Sequence, residues 1–371
     1  MISVIPMIPI GLTAPGNRAH AGRMPSAAPA PASPTAATAA IFARHGNPLE
    51  VLETATAELP APGPGEALVS GILAPINPAD LNTIEGSYPA RPPLPGTPGV
   101  EGAGRVAAVG PGVTESTGIA PGTVVLLPHG YGTWREAGIV DAASLTPVPP
   151  DVPFHEAAML KINPATAWRM LHDFVEPQPG AWVIQNAANS AVGRHVIAIA
   201  RELGLRTVNL VRRAELAHEL VAAGADAVLL DDDSARDAIA EATENAPILL
   251  ALNAVGGESA MRLAGALAHG GTLVTYGAMS RQAIKVPAGQ LIFKDLRYRG
   301  FWVSHWYREA DPADRQAMFL RLFDLARMGL LRTPVERVYP VSQLREAVAR
   351  AMEGGRNGKI LLGSPEDARA R

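Results

Sequence analysis

Apolar positions along the chain change their spacing twice. From Ile41 to about Pro150, short β-like runs (ALVSGILA, GRVAAVG, TVVLLP, REAGIV) are separated by turns such as Pro62-Gly63-Pro64-Gly65, Pro111-Gly112 and Pro121-Gly122. That pattern predicts a compact, mostly β domain. A helical stretch is expected over residues 154–174, and Gln178-Pro179-Gly180 then marks a change of class. Between Ala181 and Ser304 the runs AWVIQ, TVNLV, DAVLL, PILLAL, TLVTYG and LRYRGFWV alternate with helices beginning at Ser190, Ala214, Ser234 and Glu258. Six such strands predict a parallel, doubly wound α/β sheet, with an irregular last connection from Ala278 to Asp295. Amphipathic helices are expected around residues 311–328 and 342–352, followed by the strand-like KILL.

Residues 1–40 stand apart. Pro25 to Ala40 (PSAAPAPASPTAATAA) has no periodic apolar face and reads as disordered. The opening MISVIPMIPIGL lacks a preceding positive charge and is interrupted by Pro6 and Pro9, which argues against a secretory signal. A start at Met24 accounts for the first residues equally well. The expected division is a tail over 1–40, a β-rich catalytic part over 41–162, a nucleotide-binding part over 163–304 and a C-terminal return over 305–371.

The 371 residues are 47% hydrophobic and 18% charged, which suits a folded globular protein. A net charge of -3 gives no general attraction for nucleic acid or anionic lipid. No run approaches the ~18 apolar residues of a spanning helix, and residues 1–40 hold too few Arg for a transit peptide, so the expectation is a cytoplasmic protein. The cysteine count of zero excludes disulfides, thiolate nucleophiles and every zinc site built on thiolates. His155-Glu156 and His218-Glu219 begin like zincin helices, but Met159 and Ala222 occupy the second-histidine positions. No metal is expected.

The turn after the first parallel strand, Gln185 to Gly193, leads directly into a helix, where free N–H groups and the helix dipole suit a dinucleotide pyrophosphate. Gly193 is all that remains of the glycine fingerprint, yet Ala187, Ala188, Ser190 and Ala191 are small, and Asn189 and Ser190 can add hydrogen bonds. The second strand ends in Arg212-Arg213, where an acidic residue suits NADH and a basic one the 2′-phosphate. The pair argues for NADPH.

This organisation, with PGVEGAGRVAAVGPGV at residues 98–113, resembles the medium-chain dehydrogenase/reductase superfamily, with its GroES-like catalytic domain and Rossmann domain. Val100 precedes Glu101 where zinc alcohol dehydrogenases carry histidine. Within the superfamily, INPADLNTIEGSYP, INPATAWRML, VIQNAANSAVG, GGTLVTYGAMS and IFKDLRYRGFWVSHW resemble the mitochondrial-type 2-enoyl thioester reductases of fatty acid metabolism. The resemblance implies reduction of trans-2-enoyl-CoA or enoyl-acyl-carrier-protein by NADPH, with Tyr88 as proton donor. It further implies that Asn163 contacts the nicotinamide, that Asn189, Ser190, Ala191, Val192 and Gly193 form the phosphate turn, and that Arg212 and Arg213 hold the 2′-phosphate. Tyr276, Gly277, Ala278 and Met279, then Phe301, Trp302, Val303 and Ser304, line the cofactor cleft on this reading, with Lys359 reaching it from the C-terminal part. Ala191 and Ala278 stand where the family commonly has glycine. A homodimer paired through residues 296–303 is the implied assembly. A quinone oxidoreductase of the same superfamily and a non-catalytic NADPH-binding sensor are the two rival readings.

Overall fold

Strand β1 (Ala36–Phe42) pairs antiparallel with β2 (Leu52–Glu58) along its whole length. Here the structure corrects the expected disordered tail, because residues 36–40 belong to β1. Ala40 donates its N–H to the Trp134 carbonyl at 2.8 Å, and Phe42 is fully buried. The Ala/Thr sequence signals nothing by itself; backbone pairing orders it. The computed structural model describes residues 33–89, 91–114, 118–176, 178–356 and 358–366, so the rest of the expected tail, residues 1–32, lies outside them.

The β-rich part continues with β3 (Glu66–Pro75), β4 (Ala103–Val109), β5 (Val124–Leu126), β6 (Ala137–Asp141) and β7 (Thr146–Pro147). Strand β3 pairs with both β4 and β6, and β5 and β7 extend the sheet beyond β4. Helices Phe154–Ala157 and Asn163–His172 then lead to a second sheet.

That sheet contains β8 (Trp182–Gln185), β9 (Arg206–Val211), β10 (Ala227–Leu230), β11 (Ile248–Asn253), β12 (Thr272–Thr275) and β13 (Arg297–Gly300). All neighbours run parallel, in the order β10-β9-β8-β11-β12-β13. The order reverses between β8 and β11, which opens a crevice at their carboxyl ends. The sixth strand is shorter than its apolar run, since Val303 and Ser304 already begin the helix Val303–Glu309. Side chains on both faces explain the legible runs: Val183, Leu250, Leu252 and Val274 join one core with Leu73, Met159 and Leu322, while Ile184, Leu210, Ala251 and Leu273 fill the opposite layer.

After helix Pro312–Arg327 the chain forms β14 (Val335–Tyr339), helix Leu344–Met352 and β15 (Lys359–Leu362). Strand β15 pairs with β14 and with the end of β3, so the C-terminal segment completes the first sheet.

Candidate active site

Helix Pro78–Glu85 begins at Asn77, whose N–H is accepted by Asp80 Oδ2 at 2.8 Å, and ends at Gly86 with φ 84. A side chain at Gly86 would meet His45 at 3.0 Å in a left-handed turn, so glycine fits both demands. The turn returns the Ser87 and Tyr88 N–H groups to the Asn82 carbonyl at 3.0 and 3.1 Å. Tyr88 is thereby held beside Trp302, which follows β13. The Trp302 indole donates to Tyr88 Oη at 2.6 Å, with the rings edge to face at 5.7 Å. Burial raises the Tyr88 pKa, and hydrogen bonds from Trp302 and Ser304 pull it back.

Behind Tyr88 lies a buried polar cluster that sequence reasoning missed. Asn77 Nδ2 donates to Glu101 Oε1 at 2.8 Å, and Asn77 Oδ1 accepts from Asn163 Nδ2 at 3.4 Å. Lys359 Nζ also donates to Asn77 Oδ1. Glu101 Oε2 accepts the Ile162 N–H and Asp80 Oδ1 the Val100 N–H, both at 2.9 Å. Burial pushes the Asp80 carboxyl up to about 7, against its backbone hydrogen bonds and the Lys359 charge. Burial also raises Glu101 and lowers Lys359, while the attraction between them opposes both shifts. Lys359, expected in the cofactor cleft, thus sits among these carboxylates and reaches Asn163 through Asn77. The available signal was Glu101 itself, an acid inside a Gly/Val-rich stretch.

The remaining expected site residues gather at the carboxyl ends of the parallel strands. Ser190 caps helix Ala191–Glu202, its Oγ accepting from the Gly193 N–H at 3.1 Å. A Cβ on Gly193 would fall 2.5 Å from the Ala188 carbonyl, so the turn closes only around glycine. Ala187 takes φ 48, Asn189 is exposed, and Ala191 and Val192 are half-buried in the first helical turn. The Tyr276 hydroxyl is buried without a hydrogen bond of normal geometry, and Ser190 is the hydroxyl beside it. Gly277 lies so close to Ala254 that a Cβ would stand 2.9 Å from its carbonyl oxygen. Ala278 and Met279 are exposed, while Phe301 is half-buried and Val303 and Ser304 are buried. Arg212 and Arg213 project into solvent past β9, with no carboxylate within 4.0 Å among the described residues.

A second missed network joins the crevice strands. Asn186 Nδ2 donates to Asn253 Oδ1 and Ser259 Oγ, each at 2.8 Å, and Asn186 Oδ1 accepts the Ala254 N–H at 2.7 Å. It locks the ends of β8 and β11 together. A small-residue turn, a capped helix N-terminus, an orphaned hydroxyl and two unpaired arginines fit a phosphorylated dinucleotide. No group of three or more His, Asp or Glu among the described residues could hold a metal ion, and the chain has no cysteine.

Residues 63–150 match the alcohol dehydrogenase GroES-like domain, and residues 223–362 match the zinc-binding dehydrogenase profile. The fold and the crevice define a medium-chain dehydrogenase/reductase, though its residues do not fit the zinc of the second profile's description. The human mitochondrial enoyl-[acyl-carrier-protein] reductase is 40% identical over 354 residues, 94% of each chain, and the Bos taurus enzyme is 42% identical over 339 residues, 90% of each. The chain belongs to this enoyl reductase family. Among solved structures, Etr1p with NADP and crotonyl-CoA has TM-score 0.81 and 26% identity, covering 89% of this chain and 100% of its own; Etr1p is a mitochondrial 2-enoyl thioester reductase of Candida tropicalis. A mycobacterial quinone oxidoreductase has TM-score 0.77 and 27% identity, covering 88% and 100%. The expected cytoplasmic placement is corrected by these relatives, whose curated names are mitochondrial. Residues 1–40 contain two Arg and no Asp or Glu.

Proposed function

We propose that the chain reduces the carbon–carbon double bond of trans-2-enoyl thioesters, carried on CoA or acyl-carrier protein, with Tyr88 as the proton donor. The observation that carries the reading is the Tyr88–Trp302 hydrogen bond: Tyr88 Oη is the acceptor, so its own O–H remains free to donate. NADPH, when bound, supplies the hydride taken up by the substrate β-carbon. Tyr88 gives its proton to the α-carbon, and Trp302 and Ser304 stabilise the phenolate that remains. Asn163, anchored through Nδ2, offers its carboxamide oxygen to the nicotinamide. Helix N-terminal N–H groups, Ser190 and the Tyr276 hydroxyl receive the pyrophosphate, and Arg212 and Arg213 the 2′-phosphate.

A homodimer is part of this proposal. Among the described residues edge strand β13 has one unpaired side, and Ile292 and Phe293, 70% and 79% exposed, precede it in the connection from β12. A second copy adding its own β13 pairs that edge and covers these side chains.

The experiment is NADPH oxidation with crotonyl-CoA, comparing wild type and Tyr88→Phe, with a soluble quinone as the competing substrate. Enoyl turnover that falls about tenfold or more without the hydroxyl supports the assignment. Quinone turnover indifferent to Tyr88, with no enoyl reduction, overturns the substrate and the proton donor.

A further inference from the structure

Beside the Tyr88 site lies a cavity of about 820 Å³. Leu145, Pro147, Phe319, Leu320 and Phe323 give it apolar walls. His129 lines it and links it to the site, with Nε2 at 2.9 Å from Ser304 Oγ and its ring stacked 5.2 Å from Tyr307. Its other ring nitrogen, Nδ1, is buried without a partner among the described residues. The cavity therefore adjoins the residues placed around the reacting carbons.

Its charge is unusual for a pocket with apolar walls. Lys161, Arg308 and Arg315 line it, and among the described residues the lining includes no Asp or Glu. No carboxylate lies within 4.0 Å of any of the three among the described residues. Arg308 is exposed and Arg315 half-buried, whereas Lys161 is buried. The Tyr307 hydroxyl fixes the Lys161 backbone by donating to its carbonyl at 2.8 Å. The Lys161 ammonium donates to the Leu127 carbonyl at 2.7 Å and faces the Tyr307 and Phe319 rings at 5.7 and 5.8 Å. One neutral acceptor leaves two of its three N–H donors to be matched. Burial lowers its pKa to about 8, and the ammonium form still dominates at neutral pH. The Glu101 charge favours the ammonium, but both Glu101 oxygens are engaged, by Asn77 and Ile162.

We infer that this cavity receives the far end of the substrate's acyl chain, and that Lys161 makes it selective for a chain ending in a carboxylate. The inference rests on the enoyl-thioester reading. A plain alkyl tail displaces water from a buried ammonium and gives it nothing in return. A terminal carboxylate supplies charge-assisted acceptors at Lys161 and favourable potential from the arginines at the mouth. Lys161 therefore acts as a specificity-determining residue.

The test compares kcat/KM for trans-2-octenoyl-CoA and its ω-carboxylated counterpart of equal chain length, in wild type, Lys161→Met and Lys161→Arg. Both substrates carry the same CoA, so recognition of its phosphates cancels in the ratio, as does a general loss from imperfect folding. Wild type is expected to favour the ω-carboxylated substrate about tenfold. Lys161→Arg should keep that preference and Lys161→Met should abolish it. A wild-type ratio near one, or a preference unchanged in Lys161→Met, overturns the inference and leaves enoyl reduction standing. Failure of wild type to reduce crotonyl-CoA overturns the underlying reading, and this inference with it.

Discussion

Trp302 donates its indole N–H to the Tyr88 hydroxyl oxygen across 214 positions of sequence, joining the turn after helix Pro78–Glu85 to the end of β13. The two side chains therefore act as a unit. Tyr88→Phe is expected to lower kcat about tenfold or more, and Trp302→Phe about three- to tenfold by removing a donor to the phenolate. The double variant should be no slower than Tyr88→Phe alone, since the indole acts through the oxygen that Phe lacks. A double-mutant cycle on kcat checks this; multiplicative losses would separate the two residues.

Arg212 and Arg213 stand free of carboxylates among the described residues, and their proposed partner is the 2′-phosphate. Replacing both by alanine should cut the preference for NADPH over NADH by about ten- to a hundredfold. The loss should fall on KM for NADPH and leave kinetics with NADH nearly unchanged. Equal weakening of both cofactors would reassign the pair to general surface charge.

Glu101 accepts from Asn77 and Ile162 in a site closed to water. Glu101→Ala leaves both donors and the Lys359 ammonium without it, which should cost about 3–5 kcal/mol in stability. Glu101→Gln keeps one acceptor oxygen and should cost less. Urea midpoints at constant m-value measure the difference, and identical midpoints for wild type and Glu101→Ala would remove Glu101 from the structural core.

His195 is buried, its Nε2 at 3.0 Å from Thr333 Oγ1, and burial lowers its pKa to about 3 from 6.5. The folded state then resists a proton that the unfolded chain takes up. Its stabilising effect is present above pH 6.5 and lost as pH falls toward 3. Relative to His195→Gln, wild type should lose about 1.4 kcal/mol per pH unit between pH 6 and 4. Denaturant titrations at several pH values provide the comparison, and parallel stability curves would contradict it.

Ile292 and Phe293 are exposed in the connection that leads into edge strand β13. Ile292→Lys with Phe293→Lys should shift the molar mass measured by light scattering from twice the chain mass to once. An unchanged mass would place the dimer elsewhere, and a wild-type monomer would remove it.

The central parallel strands were legible because side chains such as Val183, Leu210, Leu252 and Val274 are buried, so each of these strands reads as an apolar run, whereas edge strand β13 is largely exposed. The turn proposed for the phosphates was legible because its features are local, a cap and a close glycine within Gln185 to Gly193. Strand β1 was hidden because Ala36–Phe42 owes its order to Leu52–Glu58 and not to its own composition. Asn77, Asp80 and Glu101 were quoted only as parts of motifs, since a single amide or carboxylate in a loop does not announce its partner. The role proposed for Tyr88 came from family resemblance; its contact with Trp302 depends on two distant turns meeting.

The pairing of β15 with β3 brings Lys359 to Asn77 over 282 positions, a contact that waits for most of the described chain to be made. On the ribosome, residues 77–101 emerge long before their ammonium does, and the parallel sheet from β8 to β13 is made in between. A nascent chain stalled before β15 holds the Asp80 and Glu101 carboxylates without a counter-charge and leaves the end of β3 without that neighbour. Translation thus supplies the strands of the parallel sheet before the ammonium that completes the buried cluster around Asn77.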